Sequence, residues 1–411
     1  MMSRTRQRLS ILLTAILVTV LWAGCVFASD KTTVRVVSWY KSEGLLDTLK
    51  AAFEAENPDV IIEFESQSST GYYDRLPVAV AGGSAADVAM LGYDRLYAFA
   101  SHGIIQSIDN LVRTKFPLSE MYPTVQESVK YKNQFYALPR DVTTSAMYYN
   151  KNHLAAAGLA TPAENWKWQD FVQYAKKLTT ETRWGFVMNF PFDGFYHWWS
   201  TNSADWFSSD RMSFTLDSEK SIETFDFLNS LSYEHMVMPN RVYLYGKLKN
   251  APTAFQLEQG SMYAGGLSQT ATWDLNPALT WDVANLPYNT QPGSRVWSNL
   301  WVMPAGGKNQ DAAWRVLSFF AGPKGQRIVA ELNIGIPTLR SAASTFLSTT
   351  TSWKKDAFVK AIDFSVPYPL LENYDIWTKM GPEFTKFWNN TISSRELGQT
   401  LKELVVPMMG L

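Results

Sequence analysis

Apolar positions in this chain switch repeatedly between the spacing of strands and that of helices. Residues 34–39 form a short, mostly apolar run, and Leu45, Leu46, Leu49, Ala52 and Phe53 then recur at helical spacing, which predicts a strand followed by an amphipathic helix. Asn57-Pro58-Asp59 breaks that helix, because proline lacks an N–H and restricts the residue before it. Val60, Ile62 and Phe64 alternate with Ile61, Glu63 and Glu65, the pattern of a half-buried strand. Residues 88–91 predict the next strand, and Gly103 ends the helix before Ile104-Ile105.

The alternation continues with a strand at 146–149, a helix stopped by Gly158, and another helix carrying Phe171, Val172, Ala175 and Leu178. Asp217 or Ser218 can cap the helix whose inward stripe is Ile222, Phe225, Leu228 and Leu231. Further strands are expected at 262–264, 281–284 and 296–303, and a helix from Asp311 through Trp314, Leu317 and Phe320 to Gly322. Such repetition over a chain of 411 residues predicts α/β layers divided between two domains. No Gly/Ser-rich or Pro-rich linker marks a border, so several ordinary chain crossings are expected to join the two.

The N-terminus bears on compartment. Arg4, Arg6 and Arg8 precede a mostly apolar run over 9–21, as in a secretory signal peptide, expected at 1–28. The run is short for a transmembrane helix, which needs about 20 apolar residues. Val26-Phe27-Ala28 fits signal peptidase cleavage with release of Ser29, while Ala23-Gly24-Cys25 resembles a lipobox that would lipidate Cys25. The protein is therefore expected to be exported, either to the periplasm or to the outer face of the cytoplasmic membrane.

Cys25 is the only cysteine, so a mature chain has no disulfide and no basis for Cys-dependent catalysis or Cys-ligated zinc. The net charge of −1 becomes more negative once the three leader arginines are removed, and no basic stripe invites nucleic acid. The four histidines, His102, His153, His197 and His235, show no metal-ligand spacing, and there is no phosphate-binding GxxxxGK[ST] loop; no metal or cofactor is expected. Aromatic residues make up 14% of the chain, including 16 Trp, and some of these are expected to face a ligand.

Several ordered segments resemble the family 1 extracellular solute-binding proteins. They are Phe53-Glu54-Ala55-Glu56-Asn57-Pro58, the loop Ala81-Gly82-Gly83-Ser84-Ala85-Ala86-Asp87-Val88, Ala137-Leu138-Pro139 with Tyr148-Tyr149-Asn150-Lys151, and Ala157-Gly158-Leu159. Downstream come Ala254-Phe255 with Gly260-Ser261-Met262, then Met303-Pro304-Ala305-Gly306, Ala312-Ala313-Trp314 and Gly335-Ile336-Pro337-Thr338. The family's usual "PDV" is Ala86-Asp87-Val88 here, and its "TW" is Asn165-Trp166.

The resemblance implies a type II periplasmic-binding-protein-like α/β fold, two lobes joined by a multi-segment hinge with a ligand cleft between them. One lobe would take 30–139 plus 295–336, the other 140–294 plus 337–411. It also implies a monomeric receptor that catalyses nothing, closes around a small solute, most simply a mono- or oligosaccharide, and delivers it to the membrane permease subunits of an ABC importer.

A sugar pocket mixes planar hydrogen-bonding groups with aromatic faces. Trp39 and Tyr40 follow the first strand, where open α/β sheets hold ligands; Trp39 could equally be core. Asp94 and Arg95 match a charged pair that binds sugar hydroxyls in the family's maltose-binding members, although Asp94 could instead cap a helix. One stacking tryptophan of those members aligns with Leu91. Asp141 follows the expected hinge strand, and Asp193 and Trp198 belong to the densest aromatic run, 192–199. Trp273, Asn299 and Trp301 complete the candidates, with Tyr374 and Trp377 as further aromatics. Other solutes remain open: an anionic polyol or glycerol phosphate ester would suit a relative of this family, and a secreted glycoside hydrolase would need two carboxyl groups flanking one bond.

Overall fold

The computed structural model describes residues 31–39, 44–191, 194–209 and 213–409. The expected leader with its cleavage sites, and the candidate residues Tyr40 and Asp193, lie outside the described residues. Two sheets organise the chain. The first contains β1 (Thr32–Ser38), β2 (Val60–Ser66), β3 (Val88–Gly92), β4 (Ala137–Thr143), β9 (Ser294–Val302) and β10 (Ser365–Pro367). Its order is β10-β9-β3-β1-β2, with β4 also paired to β9. The second is β8-β5-β7-β6, built from β5 (Ala146–Asn150), β6 (Trp184–Val187), β7 (Gly260–Gly265) and β8 (Trp281–Ala284).

Helix α1 (Leu45–Glu56) connects the parallel pair β1 and β2, burying Leu45, Leu46, Leu49 and Phe53, the stripe expected from their spacing. Asn57 closes it by donating its backbone N–H to Phe53 O. Helix α2 (Tyr72–Ala81) leads to β3, and the Tyr72 hydroxyl donates to Met90 O at 2.8 Å. All five residues of β3 are buried, as in a central strand whose sheet is covered on both faces. Asp87, just before β3, accepts from the backbone of Arg35, Lys308 and Asn309, so its carboxylate ties β1 to the loop opening α7 (Gln310–Ala321).

In the second layer, α3 (Trp168–Leu178) buries Phe171, Val172, Ala175 and Leu178. The short α4 (His197–Ser200) and α5 (Glu219–Tyr233) follow, with the Ser218 side chain accepting from Ser221 N to cap α5.

The layers are joined by ordinary backbone. Only Thr144 and Ser145 separate β4 of one sheet from β5 of the other. The Ser294 hydroxyl donates to Ser145 O at 2.9 Å and accepts from Ser145 N at 2.8 Å, which ties this crossing to the one entering β9. At Gly293 a Cβ would lie 2.4 Å from the Ser200 carbonyl carbon, so only glycine permits the approach. A third crossing runs alongside: Val142 and Ile336 exchange two backbone hydrogen bonds of 2.9 and 3.1 Å. Ser365–Pro367, within the C-terminal segment, pairs with β9 and so belongs to the first sheet.

Candidate functional site

A cleft of about 550 Å³ opens where the sheets meet. Its first wall is β9, on which Ser294, Val296 and Ser298 are buried while Arg295, Trp297 and Asn299 are half-buried and line the cleft. That alternation is the ordinary two-residue period of a strand.

Its floor is β4, where a register shift opposite Asn299 and Leu300 leaves Arg140 as an extra residue. The irregularity lets two consecutive side chains meet, which regular pleating would forbid. Arg140 donates to Asp141 Oδ2 from Nε at 2.9 Å and from Nη2 at 2.5 Å. Asp141 Oδ1 accepts from Asn299 Nδ2 at 3.0 Å and from its backbone N at 3.3 Å. Both charges are almost fully buried.

The opposite wall is the glycine turn after β7 and the helical turns beyond it. Thr143 Oγ1 accepts from Leu267 N at 2.9 Å, and Tyr148 donates to Gly266 O at 2.7 Å, so this wall is held to the floor. Asn189, Ser268, Gln269 and Thr270 add amides and hydroxyls. The chemistry on offer among the described residues is neutral hydrogen bonding, the Arg295 guanidinium, which has no carboxylate partner among them, and the Trp297 ring, arranged for binding a polar solute with an apolar face.

The structure brings Asp141 and Asn299 together in this cleft. Asp141 spends both oxygens on Arg140 and Asn299, so it acts by positioning them. Asp94 and Arg95 stand beside the cleft at the end of β3, where Gly92 pairs with Asn299. They form an ion pair at 3.2 Å, and the Arg95 guanidinium lies over the rings of Tyr374 at 3.5 Å and Tyr73 at 4.7 Å. Burial pushes the Asp94 carboxyl above its ordinary range, against the pull of Arg95 and a hydrogen bond with Tyr374. Trp39 is half-buried in the same corner, its ring edge-on to Tyr72 and Tyr73.

Three tryptophans lie elsewhere. Trp198 is fully buried, packed against Trp168, Phe171, Phe186 and Phe227. Trp273 is enclosed by Tyr148, Phe255, Tyr263 and Trp281. Trp301 shares the parity of Asn299 but lies at the covered end of β9, 5.3 Å from Phe320 of α7. With no exposed face these rings are core, a correction to the expectation that they meet ligand. Trp377 is likewise buried against Trp206 and Tyr368.

Sequence reasoning missed Arg295 and Trp297. Their signal was available: both share a face of β9 with Asn299 at two-residue spacing.

The family model of bacterial extracellular solute-binding proteins matches residues 41–327. The chain belongs to that family. Among relatives of this solute-binding protein, a maltotriose-binding protein of Pyrococcus abyssi is 24% identical over 308 residues, 70% of this chain and 62% of the relative. A galactooligosaccharide-binding protein of Bacillus subtilis is 22% identical over 356 residues, 82% of this chain and 80% of the relative. The sugar-binding protein MalE of Xanthomonas citri superposes with a TM-score of 0.82 at 19% identity, over 92% of this chain and 98% of that one. An ABC substrate-binding protein of Listeria monocytogenes, solved with cycloalternan, gives 0.79 at 22% identity, over 93% of this chain and 100% of that one. These solved structures share the two-lobed type II α/β fold. Among the described residues of this solute-binding protein, no helix is long and apolar enough to cross a membrane.

Asp94→Ala separates its two readings. As a ligand contact, Asp94 loses a charge-assisted hydrogen bond and binding weakens roughly tenfold to a hundredfold. As a helix cap it costs stability alone, about 0.5–2 kcal/mol. The turn Tyr93–Arg95 carries no side-chain cap bond, so calorimetry should register the loss in affinity; unchanged affinity removes Asp94 from the site.

Proposed function

We propose that this protein is the extracytoplasmic receptor of an ABC importer, capturing a mono- or oligosaccharide between its lobes and presenting it to the permease subunits. The observation that carries this reading is the composition of the cleft wall. A half-buried Trp297 ring lies between Asn299 and Arg295 on one strand face, offering a flat apolar surface flanked by hydrogen-bonding groups. Sugars present C–H faces ringed by hydroxyls and fit such a wall. Relatives named for maltotriose and galactooligosaccharides point the same way.

The hinge in this reading is the triple crossing near residues 144, 293 and 336, with lobes of 30–139 plus 295–336 and 140–294 plus 337–411, of which residues 140–143 and 365–367 pair into the first sheet. Closure moves each lobe as a rigid body around the ligand. The protein works as a monomer and leaves its ligand chemically unchanged. Export follows from the leader, and anchoring through Cys25 gains support from a Streptomyces antibioticus relative described as a lipoprotein, 29% identical over 188 residues.

A thermal-shift panel of saccharides, polyols, phosphodiesters and amino acids tests the reading, because a ligand that binds only the native state raises the melting temperature. A saccharide should do so, lower the radius of gyration in small-angle scattering without dimerising the protein, and be recovered intact. A shift produced only by a phosphodiester or an amino acid, or turnover of the sugar, overturns it.

A further inference from the structure

Among the described residues, the cleft holds one positive charge with no carboxylate paired to it. Of the charged side chains lining it, Arg140 and Asp141 neutralise each other, which leaves Arg295. No carboxylate among the described residues pairs with Arg295. Its Nε donates to the Ser145 hydroxyl at 3.3 Å, while Nη1 is buried without a hydrogen-bond partner. The rings of Trp297 and Tyr368 lie 5.9 and 6.0 Å from its carbon, at the outer limit of a cation–π contact.

Behind it, His197 is buried with neither ring nitrogen partnered. Burial first, and the Arg295 charge second, hold this imidazole neutral, so it adds no competing cation. Desolvating a guanidinium without a counter-ion is unfavourable, and the missing compensation can come from the solute.

We propose that the preferred solute is an acidic saccharide, a uronic-acid-containing mono- or oligosaccharide whose carboxylate is received by Arg295. This rests on the carbohydrate reading above and narrows it. Arg295 and Trp297 are two residues apart on one strand face, a separation of about 7 Å. A pyranose stacked on the indole therefore carries a carboxylate at its rim into reach of the guanidinium, whose planar fork suits two carboxylate oxygens. One unbalanced cation matches a monoanion, whereas a phosphate monoester brings a charge of about −1.5 to −2 and would leave charge uncompensated.

The test is calorimetry on the mature protein with galacturonate, mannuronate and xylo-oligosaccharides bearing a single glucuronate, each beside its carboxyl-reduced neutral counterpart. Neutral malto- and galacto-oligosaccharides complete the panel. An acid should bind roughly tenfold to a hundredfold more tightly than its reduced partner, the worth of a charge-assisted pair. Arg295→Gln should abolish that preference, and Arg295→Lys should retain part of it; melting temperatures confirm that both variants fold.

Neutral sugars binding as well as or better than every acid would overturn the proposal while leaving the receptor reading intact. So would an acid preference that survives Arg295→Gln. Binding of no saccharide in the panel overturns both.

Discussion

Asp141→Ala should lower the free energy of unfolding by about 3–5 kcal/mol, the cost of leaving a buried charge without its partner. The carboxylate neutralises Arg140, only 4% exposed, and holds both the backbone N–H and the side-chain amide of Asn299. The neighbouring backbone cannot collapse to compensate, since Gly335 already presses on Asp141, where a Cβ at 335 would lie 2.7 Å from the Asp141 Cβ. Denaturant unfolding of the ligand-free protein measures the loss. The double variant Arg140→Met/Asp141→Leu should recover most of it, because apolar replacement removes the orphaned cation. A single-variant loss below about 1 kcal/mol would mean that the pair is no more than a surface bridge.

The second large effect is a contrast between two tryptophans. Trp198→Ala empties a fully buried site among four aromatic side chains and should cost about 3–5 kcal/mol of stability. In protein that remains folded, ligand affinity should change little. Trp297→Ala should do the reverse: its half-buried ring lines the cleft, so its removal should weaken saccharide binding roughly tenfold to a hundredfold with a smaller loss of stability. Denaturation and calorimetry on both variants decide the matter. A Trp198 variant that loses affinity but not stability would place that ring at the ligand after all.

Much of the fold was legible along the chain because its cues are local. Leu45, Leu46, Leu49 and Phe53 bury one helix face whatever the helix packs against, and Asn57-Pro58 stops that helix by its own geometry. The absence of a flexible linker foretold crossings by ordinary strands, and Thr144-Ser145 between β4 and β5 is such a crossing. Asp141 and Asn299 were nameable because both sit at an expected crossing. Their mutual hydrogen bond was not, for it depends on the irregularity at Arg140, which only the pairing of β4 with β9 creates.

The sequence by itself determined the alternation of strands and helices and the family's ordered landmarks, since periodicity and turn chemistry act between near neighbours. Tertiary structure alone decided which aromatics are walls and which are core. Trp297 and Trp301 lie on the same face of one strand, four residues apart and identical in kind. One is half-buried at an open cleft; the other lies against Phe320 of α7. Nothing local distinguishes them, because burial is set by what a distant segment lays over the strand. The same holds for Arg295, whose lack of a carboxylate partner among the described residues is a property of the assembled cleft.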